Sequence, residues 1–185
     1  MSTSRHAYHH GDLPRALVAA ALEILDKQGL ASVTLRKVAR KAGVSHGAPY
    51  RHFPSLDRLL AAVAEEGFRQ LGEALKASAP AEKGEAYVAF ALARPALFRM
   101  MFSGAVSGSE TSRAVHQSLV EALRAQRDIA QPERAAAAAW ALVHGLSTLL
   151  LDGHLEQLAA STGPEGIAKA VLGAVRFAAG PQRSA

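Results

Sequence analysis

The chain contains no cysteine. That excludes disulfide bonds, thiolate metal sites and cysteine nucleophiles, and it suits a reducing cytoplasm. The sequence also lacks a Gly-rich phosphate loop, a His-Glu-x-x-His pattern and any nucleophile constellation, so no enzyme chemistry is expected. No secretory leader is expected either, because Met1 to Gly11 is polar and rich in histidine. His6, His9, His10 and Asp12 are chelators by type, but they fall on this N-terminal arm, and neither metal nor cofactor is expected. The longest nearly uncharged run, Ala135 to Leu151, is short for a membrane span, is mostly alanine and carries His144, Ser147 and Thr148. It reads as a buried helix, with no membrane as partner.

Apolar residues make up 49% of the 185 positions and charged residues 20%, which suits a folded globule rather than a disordered chain. The net charge of +5 is unevenly placed. Residues 1–58 hold nine Lys/Arg against four Asp/Glu, whereas residues 59–185 hold twelve of each. A basic module on a neutral body points to a part that binds a polyanion, joined to a part with another task.

The pattern is all-α, since no segment sustains the alternation of a strand. Leu13, Leu17, Ala20, Ala21, Ile24 and Leu25 form one buried face of a helix over 13–28, with Asp12 as N-cap, Pro14 in the first turn and Gly29 as terminator. A short second helix over 35–42 starts at Thr34 and turns its Leu35, Val38, Ala39 and Ala42 inward, leaving Arg36, Lys37, Arg40 and Lys41 outside. Gly43 supplies a sharp turn, and Ser45 is placed to cap a third helix over 46–52. Pro54 and Ser55 open a long fourth helix reaching residue 77, its buried positions including Leu59, Leu60, Val63, Leu71 and Leu75. Further helices are expected at 82–93, 95–102, 109–129, 132–152 and 164–179, separated by Pro and Gly breaks.

Two short helices joined by a tight turn hold one helix across another. The exposed end of the third offers His46, Gly47, Ala48, Tyr50, Arg51 and His52. Small residues there permit close approach to a groove, Tyr50 and His52 are donors for phosphates, and Arg36 reaches base edges or backbone. Each feature also has a plainer reading: a solvated basic face, a half-buried packing tyrosine, ordinary surface histidines. The string Thr34-Leu35-Arg36-Lys37-Val38-Ala39-Arg40-Lys41-Ala42-Gly43-Val44-Ser45, followed by Tyr50-Arg51-His52-Phe53-Pro54-Ser55, closely resembles the DNA-binding motif of the TetR family of bacterial regulators. Tyr8-His9-His10-Gly11-Asp12-Leu13 resembles the lead-in of one branch of that family. The resemblance implies a three-helix DNA-binding domain with its third helix in the major groove. It implies base or phosphate contact for Arg36, base contact for His46 and Gly47, and phosphate contact for Tyr50 and His52. Many members carry lysine where Leu56 stands here; Arg58 is placed to compensate.

In the second half, Trp140-Ala141-Leu142-Val143-His144-Gly145 and Ala93-Arg94-Pro95-Ala96-Leu97-Phe98-Arg99-Met100-Met101-Phe102 resemble the Trp-His-Gly type of C-terminal domain in that family. The resemblance implies a helical sensor and dimerisation bundle and leaves its ligand open. Phe90, Phe98, Met101, Phe102, Trp140 and His144 are candidates for lining an apolar ligand pocket; the same set reads equally as ordinary core. The expected organisation is a flexible arm over 1–11, a helix-turn-helix domain over 12–58 and a sensing and dimerisation domain over 59–185. The expected partners are an operator in double-stranded DNA, a small-molecule effector and a second copy of the chain. The other reading is a helical ligand-binding protein or enzyme that does not touch DNA.

Overall fold

The computed structural model describes residues 13–103, 110–124 and 131–178. The N-terminal arm with its histidines, the Asp12 cap, the break expected at 104–108, and the expected helix ends at 125–129 and 179 lie outside the described residues. Within them the chain forms α1 (Leu13–Gln28), α2 (Leu35–Lys41), α3 (Leu56–Ala77), α4 (Lys83–Ala93), α5 (Pro95–Met101), α6 (Glu110–Arg124), α7 (Pro132–Leu151), α8 (Glu156–Ala159) and α9 (Gly163–Ala178). The four-residue α8 and the 3-10 turns at Leu30–Ser32 and Pro80–Glu82 were not expected from the sequence, because such short segments carry no readable periodicity.

The punctuation works as its chemistry dictates. Gly29 takes φ 77, and its N–H bonds Leu25 O at 2.9 Å, closing α1. Thr34 and Ser55 sit in extended backbone and accept from the N–H groups of Lys37 and Arg58, at 3.2 and 3.3 Å. Such caps each contribute about 1 kcal/mol. At the far end of α3 the Lys83 ammonium donates to Leu75 O at 2.8 Å, satisfying a carbonyl the helix leaves open.

The 22 residues of α3 make a spine ~33 Å long. Its buried stripe of Leu59, Val63, Ala64, Gly67, Phe68, Leu71 and Leu75 meets α1, α4, α5 and α6. One continuous apolar core runs from Leu17 in α1 to Leu172 in α9. Helix α4 lies against both α7 and α9, and a β-carbon on Gly84 would stand 3.3 Å from Leu172 and 3.4 Å from Val143.

Helix α7 departs from expectation. It is long and apolar enough to span a membrane by length and composition, and it reads from the sequence as a buried helix. It instead buries one face, through Ala136, Val143, Leu146 and Ser147. Ala137, Ala138, Ala141, Thr148 and Leu149 remain exposed. Its neighbours α4 and α6 cover only one side.

A tight helix crossing lies at Gly67, where an added β-carbon would lie 2.7 Å from Met101 Sδ and 3.0 Å from Leu97 Cδ1. Both of those residues are buried on α5. Gly67→Val should therefore overpack this crossing and lose about 1–3 kcal/mol in a denaturant titration. Adding Met101→Ala should return part of that loss.

Candidate nucleic-acid interface and ring cluster

The basic module is built on α1. Its buried face of Leu17, Ala20, Ala21, Leu22, Ile24 and Leu25 holds α2 through Leu35, Val38 and Ala39. Gly43 takes φ 71, a conformation that favours glycine. It allows Val44 N–H to bond Ala39 O at 3.0 Å, so the chain reverses directly after α2.

The segment beyond the turn is not the regular helix that the sequence suggests. Residues 46–48 are turns and Pro49–Arg51 is a 3-10 helix. Pro49 has no N–H to give to Ser45 O, and that carbonyl instead accepts from Ala48 N–H at 3.0 Å. The next two bonds keep three-residue spacing, from Arg51 to Ala48 O and from His52 to Pro49 O, and Phe53 adds a four-residue bond to the same Pro49 O. The expected side-chain cap from Ser45 is replaced by this carbonyl contact. Pro49 itself is fully buried, which anchors the segment and turns its other side chains outward.

His46, Gly47, Arg51 and His52 are exposed, Ala48 is half-buried, and Tyr50 is 58% exposed. The packing role open to Tyr50 from the sequence is thus not the one it takes. Arg36 and Arg40 on α2 and Arg58 on α3 are also exposed. Among the described residues no ion pair engages Arg36, Arg40, Arg51 or Arg58, whereas Lys41 pairs with Glu23 at 2.7 Å. Lys41, and more weakly Lys27, hold the Glu23 carboxyl below its usual range. Among the described residues the module therefore presents four arginines with no acidic partner, beside a phenol and two imidazoles, around one turn.

A second cluster lies in the body. Phe98 and Phe102 of the α5 segment meet each other at 5.0 Å between ring centres and meet His144 at 5.3 and 4.5 Å. Phe102 also meets Trp140 at 6.5 Å. The structure adds three rings that the sequence reading missed: Phe68 against Phe102, Tyr87 against Phe98, and His116 against Trp140. They lie on α3, α4 and α6, so no local spacing links them to α7. Phe90 makes none of these ring contacts, and Met101 is spent at Gly67.

The polar atoms of this cluster form a chain. Trp140 Nε1–H donates to Tyr87 Oη at 3.3 Å, and Tyr87 Oη lies 3.0 Å from His144 Nδ1. The phenol oxygen accepts from the indole, and the direction of its contact with Nδ1 follows the imidazole tautomer. Burial pushes the Tyr87 phenol above its ordinary range, partly offset by the Trp140 donor. Burial pushes His144 down. His116 Nδ1 is enclosed with no hydrogen-bond partner among the described residues.

Residues 17–63 match the family described as bacterial regulatory proteins, tetR family. Residues 81–175 match the family described as tetracyclin repressor-like, C-terminal domain. The HTH-type transcriptional regulator BetI of Rhizobium meliloti is 31% identical over 151 residues, covering 71% of this chain and 74% of its own. An HTH-type transcriptional repressor of Mycobacterium tuberculosis is 31% identical over 71 residues, and the match spans only 38% of each protein. Among solved structures, a protein described as of unknown function from Rhodococcus sp. RHA1 superposes with TM-score 0.76 at 34% identity, covering 94% of this chain and 98% of that one. A TetR variant from Acinetobacter baumannii in complex with minocycline shares the fold, with TM-score 0.67 at 22% identity over 92% of this chain and 98% of that one.

The depressed His144 has a measurable consequence. Its ordinary value is 6.5, and the unfolded chain binds its proton more readily than the folded one. Its contribution therefore favours folding above that value and is lost as pH falls below it. The denaturant midpoint should drop between about pH 7.5 and about pH 5.5. His144→Gln offers Tyr87 an amide that both donates and accepts but does not titrate, and it should drop less.

Proposed function

The chain belongs to the tetR family of bacterial regulators, and from that premise we propose that it is a cytoplasmic transcriptional repressor that leaves its DNA operator when a small molecule binds the body. The observation that carries this reading is the set of unpaired, exposed arginines at positions 36, 40, 51 and 58 around a glycine-turned two-helix unit. Phosphates are what such a surface lacks, and neutralising them releases counterions. Arg36 is assigned to base edges or phosphates, His46 and Gly47 to base edges and Tyr50, His52 and Arg58 to the backbone, with Ser45, Ala48 and Arg51 in close approach. The division of labour follows the charge: a reading head over 12–58 and a neutral sensing body over 59–185.

We assign the effector site to the cluster of Phe98, Phe102, Trp140 and His144, extended by Tyr87 and His116. Phe90 and Met101 stand outside this ring set. The support is the enclosed Nδ1 of His116 without a partner beside a tryptophan that is 39% exposed. An effector acts only by binding the non-DNA conformer more tightly; about 1.4 kcal/mol of difference gives a tenfold loss of DNA affinity.

A second copy is assigned to the open face of α7 and to α9. Ala137, Ala141 and Leu149 on α7, and Ala170 and Ala174 on α9, are exposed, and small side chains let helices approach closely. A two-fold dimer would present one reading head to each half of a palindromic operator.

Fluorescence anisotropy on operator DNA, titrated with salt, tests the first claim. The slope of log K against log salt should be about −0.9 for each phosphate neutralised. Arg36→Ala should flatten it by about one unit if it meets a phosphate, or relax sequence preference at a cost of about 1–3 kcal/mol if it meets a base. A flat response in the wild type would favour the reading without DNA. Light scattering tests the dimer: Ala141→Arg should yield monomers, and a persistent dimer would remove α7 from the interface.

A further inference from the structure

We propose that Arg94 couples the sensing body to the reading head, by clasping α1 to α3 at the kink between α4 and α5. The proposal rests on the functional reading above. Its starting point is local. Pro95 keeps the preceding residue out of helical backbone, and Arg94 accordingly takes φ −137 and ψ 61. Its N–H still closes α4 onto Phe90 O at 3.1 Å, and its carbonyl opens α5 by accepting from Phe98 N–H at 2.9 Å. One residue thus sits in the hydrogen bonding of both helices and moves with both.

Its side chain reaches two further elements. Nη2 pairs with Asp26 Oδ2 in the last turn of α1 at 2.5 Å, and Nη1 donates to Gln70 Oε1 on α3. Gln70 is held in turn: its Nε2 donates to Glu66 Oε1 at 2.8 Å, and Glu66 takes a two-pronged contact from Arg69 at 2.6 and 2.7 Å. The Arg94 side chain is 23% exposed and that of Asp26 36%, so this is a partly enclosed chain and not a loose surface pair.

The placement of the other contacts gives this chain its direction. One turn before Asp26, Glu23 grips Lys41 of α2, so α1 holds the other helix of the reading head with one carboxylate and the body with the next. At the opposite end of α5, Arg99 donates to Leu151 O and Asp152 Oδ1, at 2.7 and 2.6 Å, where α7 ends. Between the two arginines, Phe98 faces Tyr87 and His144. A shift at the ring cluster must move a seven-residue helix that is pinned to α7 at one end and to α1 at the other. Only a forked side chain serves both Asp26 and Gln70; lysine has the charge without the fork.

Hydrogen exchange on the full-length protein tests the clasp without DNA. Arg94→Glu and Asp26→Arg should each raise exchange about tenfold in peptides from the end of α1 and from α2, leaving α7 and α9 near wild type. The swapped pair Arg94→Glu with Asp26→Arg should restore protection, which a merely packed side chain would not do. A duplex selected from a randomised pool by the wild type supplies the second readout. Arg94→Lys should reduce the preference for that duplex over an unselected one about tenfold while keeping the salt slope. Uniform loss of protection in the single variants, failure of the swap to restore it, or an unchanged preference in Arg94→Lys would overturn the proposal. If the wild type selects no duplex, the DNA-binding reading fails, and the exchange measurements still decide the clasp.

Discussion

No side chain projects from Gly67, and that gap sets the depth at which α5 lies against α3. Met101 Sδ and Leu97 Cδ1 fill the space a β-carbon would occupy. With those two side chains sunk into the spine, Phe98 is turned to the rings of Tyr87 and His144. The same depth brings the start of α5 within reach of α1, so Arg94 meets Asp26. A bulkier residue at position 67 would lift α5, and the apolar crossing, the ring cluster and the charged contact would shift together. Interiors packed at close to crystal density transmit such a displacement and do not absorb it.

The elements legible in the sequence were those written in local chemistry. Gly29, Gly43, Thr34 and Ser55 mark ends and turns through backbone demands that act within a few residues, and the structure uses each as its chemistry suggests. The face of α1 was readable because its apolar spacing repeats over sixteen residues. The segment around Pro49 was harder: seven residues suggest a helix, and one missing N–H diverts it into turns. The exposed half of α7 was hidden for a different reason. An alanine-rich helix looks much the same from every side, so composition does not say which face finds a partner.

The ring cluster was half legible. Phe98, Phe102, Trp140 and His144 stand in two short strings that resemble a known family pattern. Tyr87 joins them from 57 positions before His144, and His116 and Phe68 come from two further helices. Only the packing order of α3, α4, α6 and α7 brings these rings together, and that order is a property of the whole chain. The arginines of the reading head show the same limit. Sequence counted them, but only the folded arrangement separates Lys41, which is paired to Glu23, from the four arginines that have no ion pair among the described residues.

The position of the chain's single tryptophan gives the molecule a built-in optical probe. Trp140 lies in the ring cluster, with its indole N–H on Tyr87 and His116 and Phe102 nearby. All indole emission therefore originates from one spot, with no second emitter to average against it. Its wavelength reports how wet that spot is, and neighbouring imidazolium formation would quench it. The protein carries its own spectroscopic label where the body's helices converge, and none in the module that carries the unpaired arginines.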